Sequence, residues 1–317
     1  MPPSTLRGRF VWHELLTTDT AAGTRFYGKL TGWKHQPYPE MPGYTLLLAA
    51  RGPIGGVMPL AEEAKAMGAP PNWLSYIGTS DVDATVRQAT TLGAKVLRQP
   101  ESISVGRFAV LSDPQGAVFA VYTPNLMDDA EPKAQLGEFS WHELVTTDPA
   151  AAWSFYSTLF GWEKTTSMDM GDIGVYQMYG MPGLELGGIY KAPPGYPAPP
   201  NWLPYILVPD AKKAASVSTQ TGGKIINGPM EVPGGGWIAM GMDPQGAAFA
   251  VHSEAKAAAA SRQGGKAAAK KKPAAKKKAA PKKKAVARKA APKKKAAVKK
   301  KAAPKRKAAP KKKARRR

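Results

Sequence analysis

Cysteine is absent from all 317 residues. The chain therefore has no disulfide framework, no thiolate zinc site and no cysteine nucleophile. A long apolar run is also missing, because no stretch approaches the ~20 apolar residues that a membrane helix needs. The N-terminal segment MPPSTLRGRF lacks the apolar core of a signal peptide. We therefore expect an intracellular, soluble protein without a membrane span.

Acidic residues are absent from the C-terminal part of the chain. Residues 266–317 hold 27 of the 46 Lys and Arg residues and no Asp or Glu. The other 19 basic residues are spread over residues 1–265 together with all 23 acidic ones. The net charge of +23 thus combines +27 in the tail with −4 in the remainder. Such asymmetry indicates an acidic partner, either nucleic acid or an anionic membrane surface.

The tail, residues 255–317, consists largely of Ala, Lys, Arg, Pro and Val. Large apolar side chains are lacking, so no core can offset the entropy of ordering, and we expect this segment to be disordered in isolation. Its composition resembles linker-histone tails and the lysine-rich tails of some bacterial nucleoid proteins. It has no aromatic residue for base stacking, so we expect sequence-independent binding of DNA or RNA, driven by counterion release.

The basic residues expected to contact phosphates lie in short runs along the tail. They are Lys270, Lys271, Lys272, Lys276, Lys277, Lys278, Lys282, Lys283, Lys284, Lys293, Lys294, Lys295, Lys299, Lys300, Lys301, Arg315, Arg316 and Arg317. This prediction places the protein on the nucleoid of a bacterium, or in the nucleus of a eukaryote. Two alternatives are open: attachment to anionic lipid, and an extension that only aids solubility or is an artefact.

The first 265 residues contain an internal repeat of about 115 residues. Four segments, FVWHELLTTD, FYGKLTGW, APPNWLSYI and DPQGAVFAV, return about 130 residues later as FSWHELVTTD, FYSTLFGW, APPNWLPYI and DPQGAAFAV. Repeats of this kind indicate a duplicated domain. The predicted organisation is an N-terminal extension 1–8, a first domain 9–124, a linker 125–137, a second domain 138–254 and the tail.

Each copy shows the same order of strands and helices. In copy one a β-branched strand over 10–17 precedes Asp19, a suitable helix N-cap, and Gly32 ends the helix. Two short strands follow, and then a second strand and helix begin at residue 73. We predict an α+β fold in which each copy pairs two β-α-β-β-β units. The paired units would form a curved half-barrel sheet with helices outside and a cavity, or cup, inside.

These motifs resemble the vicinal oxygen chelate superfamily, which includes glyoxalase I, extradiol dioxygenases and the bleomycin- and fosfomycin-resistance proteins. The pattern of strand, capping Asp, FY-x-x-L-x-G-W and DPQG-x-x-F-A-V occurs in both copies. The tandem WHEL-type arrangement looks like the glyoxalase-like group. The resemblance implies a two-domain form whose halves pack as an internal pseudo-dimer.

The resemblance also implies where a metal would be bound. Catalytic members place His or Glu ligands on inward-facing strand positions, which correspond here to Trp12, Leu74 and Ala120 and to a glycine-containing segment, 55–58. In copy two the same places are Trp141, Leu203, Ala250 and segment 187–189. None of these side chains coordinates a divalent ion. We therefore predict no metal site and no cofactor.

Two titratable residues near the start of each copy are candidate catalytic groups: His13 and Glu14 in copy one, and His142 and Glu143 in copy two. Neighbouring strand residues point to opposite faces, so each His and Glu pair does not converge on one metal. The histidines are either functional or hydrogen-bonded structural residues beneath a helix. The glutamates are either acid-base groups, with pKa values raised by an apolar cup, or salt-bridged residues at its rim.

Six aromatic residues are candidate ligand-binding residues: Trp12, Trp73, Tyr76, Trp141, Trp202 and Tyr205. Aromatic walls with a few polar groups are typical of small-molecule sites. The alternative for the Asn-Trp segments that hold Trp73 and Trp202 is core or inter-domain packing. The glycine-rich segment 233–237 lacks the features of a phosphate-binding loop and is predicted to be a hairpin turn.

Three hypotheses of function follow. The first is a metal-free, glyoxalase-like protein that binds a small molecule in its cups and is tethered to DNA by its tail. The second is an enzyme of the same fold, either metal-free and using Glu14 or Glu143, or a glyoxalase-type lyase. The third is an architectural nucleoid protein whose folded part only spaces DNA. An open, polar cup favours the second, and a cup filled by its own side chains favours the third.

Overall fold

The computed structural model describes residues 6–66, 68–125 and 133–255. The basic residues predicted to bind nucleic acid, from Lys270 to Arg317, lie outside the described residues, as does most of the predicted linker. Among the residues described, no helix combines the length and the apolar character needed to cross a membrane.

The first repeat forms one eight-stranded mixed sheet. Its elements are β1 (Phe10–Thr17), α1 (Thr20–Thr31), β2 (Lys34–Pro37), β3 (Thr45–Ala49), β4 (Gly52–Pro59), α2 (Glu62–Ala66), β5 (Asn72–Gly78), α3 (Val82–Thr91), β6 (Lys95–Ile103), β7 (Gly106–Ser112) and β8 (Val118–Pro124). The strand order is β2-β3-β4-β1-β5-β8-β7-β6. β1 pairs with β5 in antiparallel fashion, so the two predicted units join through their first strands.

The second repeat forms an equivalent sheet. Its elements are β9 (Phe139–Thr146), α4 (Pro149–Phe160), β10 (Glu163–Asp169), a short 3₁₀ turn, β11 (Val175–Met181), β12 (Leu184–Lys191), β13 (Asn201–Leu207), α5 (Ala211–Gln220), β14 (Lys224–Glu231), β15 (Trp237–Met242) and β16 (Ala248–Ser253). The strand order is β10-β11-β12-β9-β13-β16-β15-β14. The predicted α+β fold with two tandem sheets is therefore confirmed.

The helix ends form as the sequence predicts. Asp19 accepts a hydrogen bond from the backbone N–H of Ala22, and Asp148 caps α4 in the same way, with Pro149 as the first helical residue. Gly32 and Gly161 end their helices in the left-handed region, with φ of 81° and 75°. These caps satisfy donors and acceptors that a helix end leaves free.

The two repeats pack on each other through the helix-bearing faces of their sheets. One core cluster combines α3, β7 and β8 of the first repeat with α4 and β11 of the second, and the other combines α1 and β1 with α5 and β15. The central strands β5 and β13 also contact each other. The predicted internal pseudo-dimer is therefore confirmed, and each repeat supplies part of the core of the other.

Hydrogen-bonded chains of buried side chains cross between the repeats. Trp73 Nε1 donates to the hydroxyl of Tyr27, which donates to Asp243 of the other repeat at 3.2 Å. The symmetric chain runs from Trp202 through Tyr156 to Asp113. The recurring NW, FY and DPQG motifs are therefore the parts of one interface, since each contributes one member of these chains.

Two edge strands differ from the sequence prediction. β2 was not predicted, because each of its four residues is exposed and no apolar alternation marks it. β6 extends over nine residues, although only its first apolar residues were recognised as strand. The glycine-rich segment 233–237 does form the predicted turn, between the antiparallel strands β14 and β15.

Candidate functional site

The face of each sheet opposite the helices carries a cluster of aromatic and apolar side chains around one glutamate. We call these faces cup 1 and cup 2. Cup 1 contains Trp12, Glu14, Tyr44, Leu74, Tyr76, Phe108 and Ala120. Cup 2 contains Trp141, Glu143, Tyr176, Leu203, Tyr205, Ile238 and Ala250.

Glu14 stands at the centre of cup 1 with both carboxylate oxygens hydrogen-bonded. Tyr44 donates to Oε1 at 2.7 Å and Tyr76 donates to Oε2 at 2.5 Å. Trp12 Nε1 donates in turn to the Tyr44 hydroxyl at 2.9 Å. The result is a connected polar network inside an aromatic wall, in which the carboxylate has a donor on each oxygen.

Two adjacent glycines in each repeat create the space for this network. A Cβ at Gly56 would lie 2.1 Å from the Tyr44 ring, and a Cβ at Gly55 would lie 2.4 Å from the carbonyl oxygen of His13. In the second repeat, a Cβ at Gly188 would collide with the Tyr176 ring, and a Cβ at Gly187 would collide with the carbonyl oxygen of His142. A side chain at the second glycine would therefore displace the tyrosine that donates to the glutamate.

Glu143 in cup 2 is buried and has a different set of partners. Tyr176 and Tyr205 both donate to Oε2, at 3.0 and 3.1 Å. Oε1 is buried and accepts no hydrogen bond. Tyr190 lies close enough for its hydroxyl to favour the charged form of Glu143. Trp141 Nε1 donates to the Tyr176 hydroxyl at 2.8 Å, as in cup 1.

The cups also differ in the residues around the glutamate. In cup 1 Arg98 lies over the Phe108 ring, with 4.8 Å from its Cζ to the ring centroid, and its charge favours ionised Glu14. The strand register places Asn227 and Ile238 at the equivalent positions of cup 2. Cup 2 therefore lacks this cation.

Burial raises the pKa of both glutamates. Desolvation is the main cause for Glu14, and its tyrosine donors and Arg98 oppose it. Desolvation raises the pKa of Glu143 to about 7, against donors that include Tyr176 and Tyr205. A carboxyl group with a pKa near 7 exchanges protons readily at neutral pH.

The metal centre implied by the family resemblance does not fit these cups. Trp12, Leu74 and Ala120 pack together on the cup face, where the family places its ligands, and none offers a donor atom for a divalent ion. Among residues 6–66, 68–125 and 133–255, no three His, Asp or Glu side chains are grouped so as to hold a metal. We derive no chemistry through a metal at this site.

The histidines lie on the opposite face from the glutamates, at the interface between the repeats. His13 Nε2 and His142 Nε2 are 2.8 Å apart, and both side chains are buried. His142 Nδ1 faces the carbonyl oxygen of Leu186 at 3.3 Å, so Nδ1 carries the proton. His13 Nε2 is then the donor to His142 Nε2. One prediction placed these histidines as hydrogen-bonded residues beneath a helix. In the structure they form a hydrogen-bonded pair across the interface between the repeats.

Burial lowers the pKa of both histidines. For His142 the pKa falls from 6.5 to about 3, and for His13 desolvation and then the charge of His142 act in the same direction. Phe10 and Phe139 stack on the two rings, at centroid distances of 3.6 and 3.7 Å. Protonating His142 at Nε2 would bring two N–H donors together inside this aromatic stack.

We expect the folded protein to lose stability as the pH falls below 6.5. The folded pKa values are lowered, so the unfolded chain takes up protons first. The stability from the neutral pair is complete above 6.5 and declines towards about 3. Each pH unit in this window costs about 1.4 kcal/mol per histidine. Urea unfolding between pH 8 and 5 measures this loss.

The control for this prediction is a comparison of variants. The double variant His13→Gln/His142→Gln should show a flatter dependence of unfolding free energy on pH. His35→Gln should retain the wild-type dependence, because His35 is exposed. An unchanged slope in the double variant would show that other groups control the acid sensitivity.

The remaining candidate residues divide between cup and core. Tyr76 and Tyr205 lie in the cups and donate to the glutamates. Trp73 and Trp202 are buried between the repeats, which agrees with the packing alternative, and we leave them out of the proposed site. Sequence reasoning missed Tyr44, Tyr176 and Tyr190. The rings of Tyr44 and Tyr176 pack against paired glycines, and these glycine pairs are the sequence feature that could have identified the two tyrosines.

Comparison with known proteins shows related sequences and folds. A family profile described as a glyoxalase-like domain matches residues 12–122. "Putative glyoxylase CFP32" of Mycobacterium bovis is 32% identical over 245 residues, covering 76% of this chain and 92% of that protein. "Anthracycline biosynthesis protein DauV" of Streptomyces sp. (strain C5) is 29% identical over 258 residues, covering 77% of this chain and 92% of that protein.

Solved structures share the fold at low sequence identity. The 2,3-dioxygenase LapB of Pseudomonas sp. KL28 matches with a TM-score of 0.54 and 12% identity, over 80% of this chain and 94% of that one. The Mn(II)-bound glyoxalase of Novosphingobium aromaticivorans matches with a TM-score of 0.53 and 16% identity, over 79% and 83%. These likenesses concern the fold alone.

Proposed function

Because the chain belongs to the glyoxalase-like family of the vicinal oxygen chelate superfamily, we propose that its folded repeats bind a small organic molecule in the cups without a metal. We further propose that residues 266–317 tether them to nucleic acid. The single observation that carries the first part is the glutamate that each cup holds among aromatic side chains, half-buried in cup 1 and buried in cup 2. Buried carboxylates are costly, and such groups are concentrated at functional sites.

The cup chemistry supports recognition of an aromatic or amphipathic molecule. Trp141, Tyr176 and Tyr205 offer flat apolar surfaces, and Glu143 offers one polar atom for orientation. This combination of mostly apolar walls and a few placed polar groups is typical of small-molecule sites. One relative is named for anthracycline biosynthesis, which suggests organic molecules as a ligand class for this chain as well.

The charge distribution supports the tether. Residues 266–317 carry +27 and residues 1–265 carry −4, so the folded part has no net attraction for phosphate. Any affinity for nucleic acid is therefore expected to come from the tail. The folded repeats would then be held at high local concentration along the polyanion while their cups stay free for a ligand.

Metal-free catalysis is a second candidate function, and the free oxygen of Glu143 favours it. The pKa of Glu143 lies near 7, and its Oε1 accepts no hydrogen bond. A general acid or base needs both a suitable pKa and an atom within reach of its substrate. A purely architectural role would leave these two costly features without a purpose.

We expect aromatic fragments to bind the full-length protein in ligand-observed NMR, and aliphatic polyols of similar size not to bind. The aromatic walls of the cups provide the contact surface, so Trp141→Ala combined with Trp12→Ala should weaken the aromatic signals at least severalfold. Trp153→Ala, on the opposite side of the second sheet, is the matched control and should bind like the wild type. Equal signals from both compound classes, or no binding of any aromatic fragment, would contradict the proposal.

A further inference from the structure

The two glutamates occupy equivalent positions but do not have equivalent hydrogen bonds. Tyr44 and Tyr76 donate to different oxygens of Glu14, so neither oxygen lacks a donor. Tyr176 and Tyr205 both donate to Oε2 of Glu143, and Oε1 remains without one. An unpaired buried acceptor is destabilising, so a group that supplied the missing partner would be bound favourably.

We propose that Oε1 of Glu143 docks the hydroxyl group of an aromatic ligand, a phenol in the simplest case, and exchanges a proton with it. This makes cup 2, and not cup 1, the ligand site of the protein. The inference rests on the proposed function and specifies both its site and its ligand class.

A hydroxyl group is the ligand chemistry that suits both charge states of Glu143. With two phenols donating to Oε2, a proton on the neutral acid resides on Oε1. Neutral Glu143 therefore needs an acceptor at Oε1, and ionised Glu143 needs a donor there. A hydroxyl group is both. An amine would serve only the ionised form, and a ketone only the neutral form.

The surroundings of Glu143 favour an uncharged aromatic ligand. Its titratable neighbours are all phenols: Tyr176 and Tyr179 from β11, Tyr190 from β12, Tyr205 from β13 and Tyr196 from the segment after β12. On β16, Ala250 lies in the cup and His252 lies further along, where its Nδ1 is 3.4 Å from Ser140 Oγ. No cation of the described residues is among the groups that act on Glu143.

Tyr190 and Tyr196 are the partly buried phenols that act on Glu143, whereas Tyr176 and Tyr205 are buried. Both interact electrostatically with Glu143, and the Tyr190 hydroxyl also favours its charged form. At the position of Tyr190, cup 1 has Met58, which offers no hydroxyl group. A ligand that approached past these two rings would bring a further phenol to the carboxylate, at the oxygen that has no donor.

The proton transfer is balanced within the complex. The ligand O–H bond breaks as an O–H bond forms on Oε1, and the ligand becomes a phenolate that accepts a hydrogen bond from the neutral acid. Tyr176 and Tyr205 keep their hydrogen bonds to Oε2 throughout. The reverse transfer restores the starting state, so no oxidant, reductant or third reactant is required.

The binding probe is phenol, which stays neutral at pH 8 and can donate to ionised Glu143. 4-Nitrophenol, a stronger acid, is the probe for the infrared measurement. Anisole, in which the hydroxyl is methylated, is the matched binding probe without a donor. Binding to the full-length protein is measured at pH 8 for the wild type, Glu143→Gln, Glu14→Gln and Glu163→Gln, a control whose side chain is exposed. Glutamine keeps the shape and one acceptor for the tyrosines, and removes a buried charge. The variants should therefore fold, which thermal unfolding checks.

We expect Glu143→Gln to weaken phenol binding about tenfold, the order expected for loss of a hydrogen bond to a charged group. Glu163→Gln should change it less than twofold, and anisole should bind Glu143→Gln and Glu163→Gln like the wild type. Infrared difference spectra should show a protonated carboxyl band when 4-nitrophenol binds the wild type. That band should be retained in Glu163→Gln and absent in Glu143→Gln.

Two results would overturn the inference while leaving the proposed function intact. One is equal binding of phenol by Glu143→Gln and the wild type. The other is a loss of phenol binding in Glu14→Gln instead, which would move the site to cup 1. Failure of both phenol and anisole to bind the wild type would overturn the proposed binding function, and this inference with it.

Discussion

Removal of residues 266–317 should abolish binding of duplex DNA and leave the unfolding free energy of the repeats unchanged. The removed segment carries +27, and the remaining residues carry −4. Phosphate binding depends on the release of counterions by Lys and Arg, so the truncated protein has no excess charge with which to compete. An electrophoretic shift or fluorescence anisotropy titration of both proteins measures the difference.

The full-length protein should bind unrelated duplexes with nearly equal affinity and a strong dependence on salt. If roughly half of the tail charges meet phosphates, the slope of log affinity against log salt is on the order of −10. Single lysine substitutions should have little effect, because neighbouring lysines replace the lost contact. A salt series on two unrelated duplex sequences tests both points.

The matched control is a full-length variant with the same tail residues in shuffled order, which keeps the charge and should keep the affinity. A second variant with half of the tail lysines changed to glutamine should show a proportionally shallower salt slope. Retained affinity after truncation would mean that the repeats themselves recognise DNA. Strong sequence preference would contradict a purely electrostatic tether.

Asp113→Ala should lower the unfolding free energy by about 4 kcal/mol, a large value for one substitution. Oδ1 of Asp113 accepts hydrogen bonds from the backbone N–H groups of Gln115, Gly116 and Ala117. Oδ2 accepts from Tyr156 of the other repeat at 3.0 Å. Alanine would leave several buried donors without partners, each costing roughly 1–3 kcal/mol. Urea unfolding at pH 7 measures the change.

Three further variants define the cause of this loss. Tyr156→Phe should cost less than Asp113→Ala, because it removes only the hydrogen bond between the repeats. Asp83→Ala should cost at most about 1 kcal/mol, since its ion pair with Arg107 is exposed. Asp243→Ala should behave like Asp113→Ala, because Asp243 makes the equivalent contacts. A loss below 1 kcal/mol in both aspartate variants would refute the argument.

The sequence predicted the order of strands and helices in each repeat, and its family resemblance implied the pairing of the repeats. Capping residues such as Asp19 and Gly32 act over a few neighbouring positions, so the local sequence specifies them. The exposed edge strand β2 was not predictable in this way, because apolar alternation arises only where one face of a strand is buried.

The candidate site was predicted only in part. Strand alternation correctly separates Glu14 from His13, since they lie on opposite faces of β1. Alternation does not reveal which side chains complete the hydrogen bonds of Glu14. Tyr44, which directly precedes β3, reaches it only because Gly56 of β4 leaves space, and that is a tertiary contact. Likewise, the partner of His13 lies 129 residues away.

The covalent joining of the two repeats has a consequence for the symmetry of the molecule. In a dimer of identical chains, one substitution alters both halves, so their sites must stay alike. Here the buried Trp, Tyr and Asp of the shared interface match in both halves, while Arg98 and Met58 are replaced by Asn227 and Tyr190 in the second. Fusion thus allows each half to carry its own residues around the glutamate, while the buried residues of the shared interface stay the same in both.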